Sequence, residues 1–271
     1  MPPRRRHPNN MSRESRQPFA KKSLGQNFLV DQNYIRKIID AIDLKEDDIV
    51  VEIGPGRGAI TDGLVETGAK VIAVELDRQL APQLAERFKG SPNIKVIEAD
   101  ATEVDFGPLL ADGKAKLVAN LPYYISTAIL QHLASQRESF TSLVLMFQKE
   151  VVDRIAAPAG DSERGFLTVI TEAAFSVERL FDVPPNAFRP VPKVTSTVAR
   201  LTPKARVIDN EDTFRRIVSV AFAQKRKTIL NNLKALSPDA PETLERSGID
   251  PRRRAESLTL DEWIALLRAF Q

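Results

Sequence analysis

The chain has 271 residues, 42% apolar and 28% charged, enough to bury one large core and a smaller second unit. It contains no cysteine and two histidines, His7 and His132, which excludes disulfides, thiolate metal sites and cysteine nucleophiles and leaves little for a zinc centre or a histidine acid–base pair; no metal is expected. The formal net charge is +3, yet residues 1–46 carry +5 and residues 189–271 carry +6 while residues 47–188 carry −8, a distribution that suggests a polyanion gripped by basic flanks.

Residues 1–20 are polar, proline-containing and without periodicity, and are expected to form a disordered basic tail around Arg4, Arg5 and Arg6. Positive charge with no apolar segment behind it is not a secretory signal, and no apolar run approaches the ~20 residues of a membrane span. A cytoplasmic protein without a membrane partner is expected. Asp31 is placed to cap a helix that carries Tyr34, Ile35, Ile38, Ile39 and Ile42 on one face. From residue 49 the pattern alternates: strand 49–53, turn 54–58, helix 59–67, strand 70–75, helix 77–88, strand 94–98, strand 117–120, helix 126–135, strand 143–147 and helix 150–156. Near-continuous apolar strands separated by helices predict an α/β fold, a Rossmann-like parallel sheet covered on both faces that binds its ligand at the carboxyl ends of the strands. Residues 175–202 read as paired late strands around a proline-rich bend. After Pro203 the pattern is helical throughout, over 214–223, 227–236, 242–247 and 260–270. The expected organisation is a tail (1–20), an α/β domain (21–203) and a small all-helical domain (204–271).

The most informative motif is Asn120-Leu121-Pro122-Tyr123, at the end of the apolar strand Leu117–Asn120. An exocyclic amine on a planar base is a poor nucleophile, because its lone pair is delocalised into the ring. The Asn120 side-chain oxygen and a backbone carbonyl near Pro122 can accept its two N–H bonds, hold the nitrogen pyramidal and aim the lone pair at a methyl donor. Tyr123 can stack on the base, worth roughly 1–3 kcal/mol. A strand end followed by a proline turn accounts equally well for these four residues taken alone.

A second motif, Glu52-Ile53-Gly54-Pro55-Gly56-Arg57-Gly58, joins the first strand of the sheet to a helix. Its glycines allow a ligand to approach the backbone, and with Ala59 they also satisfy the dinucleotide pattern G-x-G-x-x-A. Glu75 ends the next strand, where a carboxylate can bind a ribose diol of either NAD or S-adenosylmethionine. Glu52 favours the latter, since a negative charge suits a cationic amino group or sulfonium and sits badly beside a pyrophosphate. Asp100, at the end of the third strand, can accept from an adenine amino group.

Together these residues resemble the ribosomal RNA adenine dimethyltransferases, specifically the enzymes that modify small-subunit RNA. The resemblance runs from about Lys21 to Phe270 and rests on Lys22–Leu29, the glycine turn, Glu75, Asp100, Asn120–Tyr124, Pro184–Val194 and Phe222–Leu233. It implies S-adenosylmethionine as cofactor and dimethylation of two adjacent adenosines near the 3′ end of that RNA, within an assembling small (30S) subunit, by a monomer. It implies that Asn27 and Leu29 close over the cofactor, that Gly54 contacts its methionine part, Glu75 its ribose and Asp100 its adenine, with Gly56 and Ala101 in the same set, and that Asn120 lies between cofactor and target amine. Phe188 is either the second wall of a base sandwich opposite Tyr123 or core packing after a proline turn.

The target amine must be unpaired or flipped out to be reached. Lys225, Arg226 and Lys227, with Arg215 and Arg216 earlier in the helical region, are the leading candidates for phosphate contact, followed by Arg252-Arg253-Arg254, Lys21-Lys22 and the tail. Alternative readings are a large-subunit RNA methyltransferase, an assembly or nucleic-acid-binding factor with little catalysis, and an NAD-dependent dehydrogenase.

Overall fold

The computed structural model describes residues 26–271 except 112, 123–124 and 206–207. Tyr123, Lys21, Lys22 and the Arg4–Arg6 tail therefore lie outside the described residues.

The first described elements are β1 (Phe28–Leu29) and α1 (Gln32–Ile42). Asp31 caps α1 as its sequence position predicts, accepting the Asn33 N–H at 2.9 Å, and Ile35, Ile38 and Ile42 form the buried stripe. Then come β2 (Ile49–Ile53), α2 (Ala59–Glu66), β3 (Lys70–Glu75), α3 (Leu80–Arg87), β4 (Ile94–Glu98), α4 (Phe106–Leu109), β5 (Ala115–Asn120), α5 (Ser126–Ser135), β6 (Phe140–Gln148) and α6 (Lys149–Ile155). After α7 (Phe166–Ala174) the chain runs through β7 (Phe175–Val183), β8 (Phe188–Arg189) and β9 (Ser196–Pro203). It ends in α8 (Glu211–Ala221), α9 (Ile229–Leu233), α10 (Ala240–Arg246) and α11 (Leu260–Phe270).

Among the described residues, seven strands form one sheet in the order β4-β3-β2-β5-β6-β9-β7. The five from β4 to β6 are parallel, as expected, and β9 and β7 extend the sheet antiparallel as the expected pair of late strands. The chain steps outward from β2 to β3 and β4, then returns to place β5 and β6 on the other side of β2. The reversal opens a crevice between the carboxyl ends of β2 and β5, where open α/β sheets bind ligands. Ile53 pairs with Ala119 there, which puts the glycine turn beside Asn120.

Successive side chains of each parallel strand serve opposite faces. Val50, Val118, Val144 and Met146 pack under α1 and α2, while Val51, Leu117, Leu143 and Leu145 pack under α5 and α7. The second cluster continues without a break into the C-terminal helices through Phe214, Ile217, Val218, Leu233 and Trp263, all buried. α7 was not foreseen: Phe166–Ala174 is rich in β-branched residues and buried on nearly every side, so it shows no polar face by which a helical period could be read.

The sequence pattern predicts helices over 214–223 and 227–236, flanking Lys225 and Arg226. Instead residues 222–228 form a turn, and α9 spans only Ile229–Leu233. Two side chains impose this break. Thr228 caps α9 by accepting the Asn231 N–H, and buried Asn232 donates through Nδ2 to the carbonyls of Ala221 (2.6 Å) and Gln224 (3.1 Å), tying down the end of α8 and the turn. Replacing Asn232 by Ala removes both bonds; the Gln224 carbonyl keeps the Lys227 N–H at 2.9 Å but the Ala221 carbonyl loses its donor, so Asn232→Ala is expected to lower stability by about 1–3 kcal/mol. Urea unfolding of parent and variant checks this, and an unchanged midpoint would refute the role given to the side chain.

Candidate active site

The turn after β2 holds three glycines in the left-handed region, Gly54 (φ +68°), Gly56 (+58°) and Gly58 (+82°). A side chain at Gly56 would also collide with the ring of Phe28, whose Cε1 lies 3.0 Å from where a Cβ would stand. At Gly54 a Cβ would meet nothing within 4 Å and would project into open space, the room in which a ligand can lie directly against the backbone.

Glu75, at the end of β3, anchors the turn. Its Oε2 accepts the Gly56 N–H at 2.9 Å and its Oε1 the Asp77 N–H at 2.8 Å. Burial pushes this carboxyl above the ordinary range, and the Asp77 and Gly56 N–H bonds only partly oppose the rise. Glu52 is deeper, 2% exposed, with Oε2 accepting from the Thr61 hydroxyl at 2.6 Å. Burial raises its pKa to about 8, against the lowering effect of Thr61; Glu75 and Asp62 add like-charge repulsion. Asp100 lies two residues beyond β4 and is half-buried; its Oδ1 takes up the N–H (2.9 Å) and hydroxyl (2.7 Å) of Thr102.

Across the crevice, Asn120 closes β5. Its Nδ2 donates to the Asn27 carbonyl at 3.3 Å, and a carbonyl can only accept, so Oδ1 remains the acceptor for another group. The Leu121 N–H is held by the Met146 carbonyl at 3.3 Å, and the Pro122 carbonyl accepts the Ile125 N–H at 3.2 Å. The segment around Asn27 is itself fixed by a two-residue ladder in which Phe28 pairs with Arg189 and Leu29 with Phe188. Asn27, Leu29, Glu52, Gly54, Gly56, Glu75, Asp100, Ala101, Asn120, Leu121, Pro122 and Phe188 all line a single pocket. Phe188 is 1% exposed and packs with Leu29, Val183 and Val198 while also lining that pocket.

Sequence reasoning passed over other lining residues: Phe28, Arg57, Leu76, Ile125 and Ile129. The guanidinium of Arg57 sits 4.4 Å above the Phe28 ring, so the one basic side chain among the described lining residues is engaged by an aromatic face. Three carboxyls and a single arginine stacked on an aromatic ring make a poor setting for a pyrophosphate.

The basic candidates lie outside this pocket. Arg216, Arg226 and Lys227 are exposed; Lys225 is exposed too, with Nζ bonded to the Ser162 carbonyl. Arg215 is turned inward onto α5, with Nη2 at 2.9 Å from the Gln131 carbonyl. Of the Arg252–Arg254 run, Arg252 pairs with Asp250 at 3.0 Å and Arg253 with Glu262. The Ile229 N–H bonds the Arg253 carbonyl at 2.7 Å, which brings this run against the Lys225–Lys227 turn.

A largely parallel sheet with a glycine turn and a buried carboxyl on one side of its crevice, and a strand-end asparagine on the other, is the arrangement of an S-adenosylmethionine-dependent methyltransferase. The sequence profile described as ribosomal RNA adenine dimethylase matches residues 19–271. Proteins named ribosomal RNA small subunit methyltransferase A are 45% identical in Geobacter metallireducens (93% of this chain, 95% of that one) and 45% identical in Laribacter hongkongensis (92% and 95%). Among solved structures, a dimethyladenosine transferase from Plasmodium falciparum superposes with a TM-score of 0.77 at 30% identity, covering 90% of this chain and 97% of that one. The 23S rRNA methyltransferase ErmE gives 0.67 at 27% identity, covering 90% and 99%. The chain belongs to the ribosomal RNA adenine dimethylase family. It is an enzyme, and its cofactor is S-adenosylmethionine.

The carboxyl of Glu52 generates a pH dependence of folding. An unfolded glutamate ionises near 4.5, whereas the native one keeps its proton up to about 8. Between these values the native state binds more protons than the unfolded chain, so the stabilisation is complete at low pH and is lost as pH rises towards about 8, with a limiting slope of about 1.4 kcal/mol per unit. Glu75 contributes in the same direction. Glu52→Gln is expected to flatten this decline, which guanidinium unfolding at a series of pH values measures. An identical pH profile in parent and variant would show that Glu52 ionises normally in the native protein.

Proposed function

We propose that the enzyme dimethylates the exocyclic N6 amines of two adjacent adenosines near the 3′ end of small-subunit ribosomal RNA, acting as a cytoplasmic monomer on an assembling small subunit. The observation that carries the chemistry is Asn120 at the end of β5, beside the glycine turn at the end of β2, with the carboxyls of Glu75 and Asp100 in the same pocket. The choice of RNA is supported by 45% identity to relatives named for the small subunit, against 27% to a 23S enzyme.

When bound, S-adenosylmethionine supplies an electrophilic methyl group. Glu75 would bind its ribose with the lone pairs left over from Gly56 and Asp77, Asp100 and Ala101 would border its adenine, and Gly54 and Glu52 its amino-acid end. Asn27 and Leu29 would cover it, held in place by the β1–β8 ladder. Asn120 Oδ1 and a backbone carbonyl of Leu121 or Pro122 accept the two N–H bonds of the target amine, which localises the lone pair on nitrogen. Of these carbonyls, that of Pro122 already accepts one N–H. Tyr123 would stack on the base, with Phe188 as the second wall of the sandwich; the burial of Phe188 makes it a fixed wall and not a mobile clamp. The proton shed by the amine needs no strong base, since it becomes acidic once the nitrogen is alkylated.

The helical region, residues 204–271, grips the RNA backbone. Arg226 and Lys227 on the 222–228 turn, together with Arg216 and the adjoining Arg252 and Arg254, form its basic surface, with Lys225 contributing charge.

Asn120→Ala removes an acceptor that matters most in the transition state. It should lower kcat by roughly a hundredfold or more and weaken S-adenosylmethionine binding far less, through loss of the bond to the Asn27 carbonyl. Labelled-methyl transfer to undermethylated small subunits, followed by nucleoside analysis, reads the rate and identifies dimethyladenosine; parental turnover in the variant would sink the assignment. Replacing Arg226 and Lys227 together by Ala should weaken RNA binding and flatten its dependence on log salt by about 0.7–0.9 for each phosphate no longer neutralised. Cofactor affinity should not follow. A slope equal to the parent's would move the phosphate contacts elsewhere on the protein.

A further inference from the structure

Arg215 carries the charge expected of a phosphate contact, but its guanidinium is engaged inside the protein. Nη1 donates to Gln131 Oε1 at 3.2 Å and Nη2 to the Gln131 carbonyl at 2.9 Å. One helical turn earlier on α8, Glu211 accepts from Arg137 Nη1 at 2.8 Å, and the same nitrogen donates to the Ala134 carbonyl at 3.1 Å. Arg137 is 4% exposed. α8 therefore holds the last turns of α5 at two points, and Phe214, Ile217 and Val218 share an apolar cluster with Leu130 and Leu133 of α5.

The opposite end of α5 is the loop that follows Asn120. The Ile125 N–H donates to the Pro122 carbonyl at 3.2 Å and the Ile129 N–H to the Ile125 carbonyl at 3.0 Å, while Ile125 and Ile129 both line the pocket. A helix of ten residues is a stiff rod of about 15 Å, so a displacement at the Gln131 end is delivered to the Asn120–Pro122 end. We propose that Arg215 is a positioning residue for methyl transfer, fixing α5 along its axis and thereby setting Asn120 and its neighbouring carbonyls against the target amine, instead of binding RNA phosphate. This rests on the reaction proposed above.

The test compares the full-length parent with Arg215→Ala, Arg215→Lys, Gln131→Ala and the double variant Arg215→Ala/Gln131→Ala. Single-turnover methylation of undermethylated small subunits is measured at saturating RNA, with RNA affinity across a salt series and S-adenosylmethionine affinity by calorimetry. Arg215→Ala is expected to slow the saturated rate roughly ten- to hundredfold, with RNA affinity, its salt slope and cofactor affinity within about twofold of parent. Arg215→Lys, which keeps one of the two bonds, should recover part of the rate. Gln131→Ala should slow the reaction less, because the backbone carbonyl remains, and adding it to Arg215→Ala should change little. A reduced salt slope with an unaltered saturated rate in Arg215→Ala would make Arg215 a phosphate contact and overturn the proposal. So would fully additive effects in the double variant. A parent that fails to methylate small-subunit RNA at all would instead refute the reaction itself, and this is visible before any variant is compared.

Discussion

The site depends on the reversal of strand order between β2 and β5. Because the chain winds outward twice and then returns, two strand ends that are far apart in sequence become nearest neighbours, with Ile53 opposite Ala119. The glycine turn and Asn120 can then line one pocket without either element leaving the rigid sheet. Every other feature serves this crevice. α1 and α2 support it from one face, α5 and α7 from the other, and the β1–β8 ladder covers it.

The carboxylates show how the scaffold and the chemistry share groups. Glu75 holds the Gly56 and Asp77 backbones while lining the pocket, so the turn and the strand end are shaped by the same side chain that faces the ligand. Glu52 is taken out of water at the bottom of the site, with the Thr61 hydroxyl as its compensating donor.

Much of this was legible in the sequence because the signals were local. Apolar runs marked β2 to β5 to within two residues, Asp31 announced α1, and Gly54, Gly56, Glu75 and Asn120 at strand ends, with Asp100 two residues past one, line the same pocket. What could not be read was set by tertiary contacts. α7 is buried nearly all round and has no amphipathic stripe. The β1–β8 pairing involves two residues on each side and follows from chain closure, not from β propensity. The break between α8 and α9 is made by the Asn232 amide reaching back to Ala221 and Gln224, and the inward turn of Arg215 by a partner 84 residues away. Formal charge located basic residues correctly, but it did not distinguish those facing solvent from those already bonded to a helix carbonyl or a carboxylate.

The bond from Asn120 to the Asn27 carbonyl joins two segments 93 residues apart, both lining the pocket. It fixes the orientation of the amide, with the nitrogen spent on the Asn27 carbonyl and Oδ1 turned to accept from another group. The two-residue β1–β8 ladder, which sets where Asn27 stands, thereby also sets the rotamer of a side chain on a different sheet. A change as remote as Phe188 or Arg189 is thus communicated to the end of β5 through one hydrogen bond.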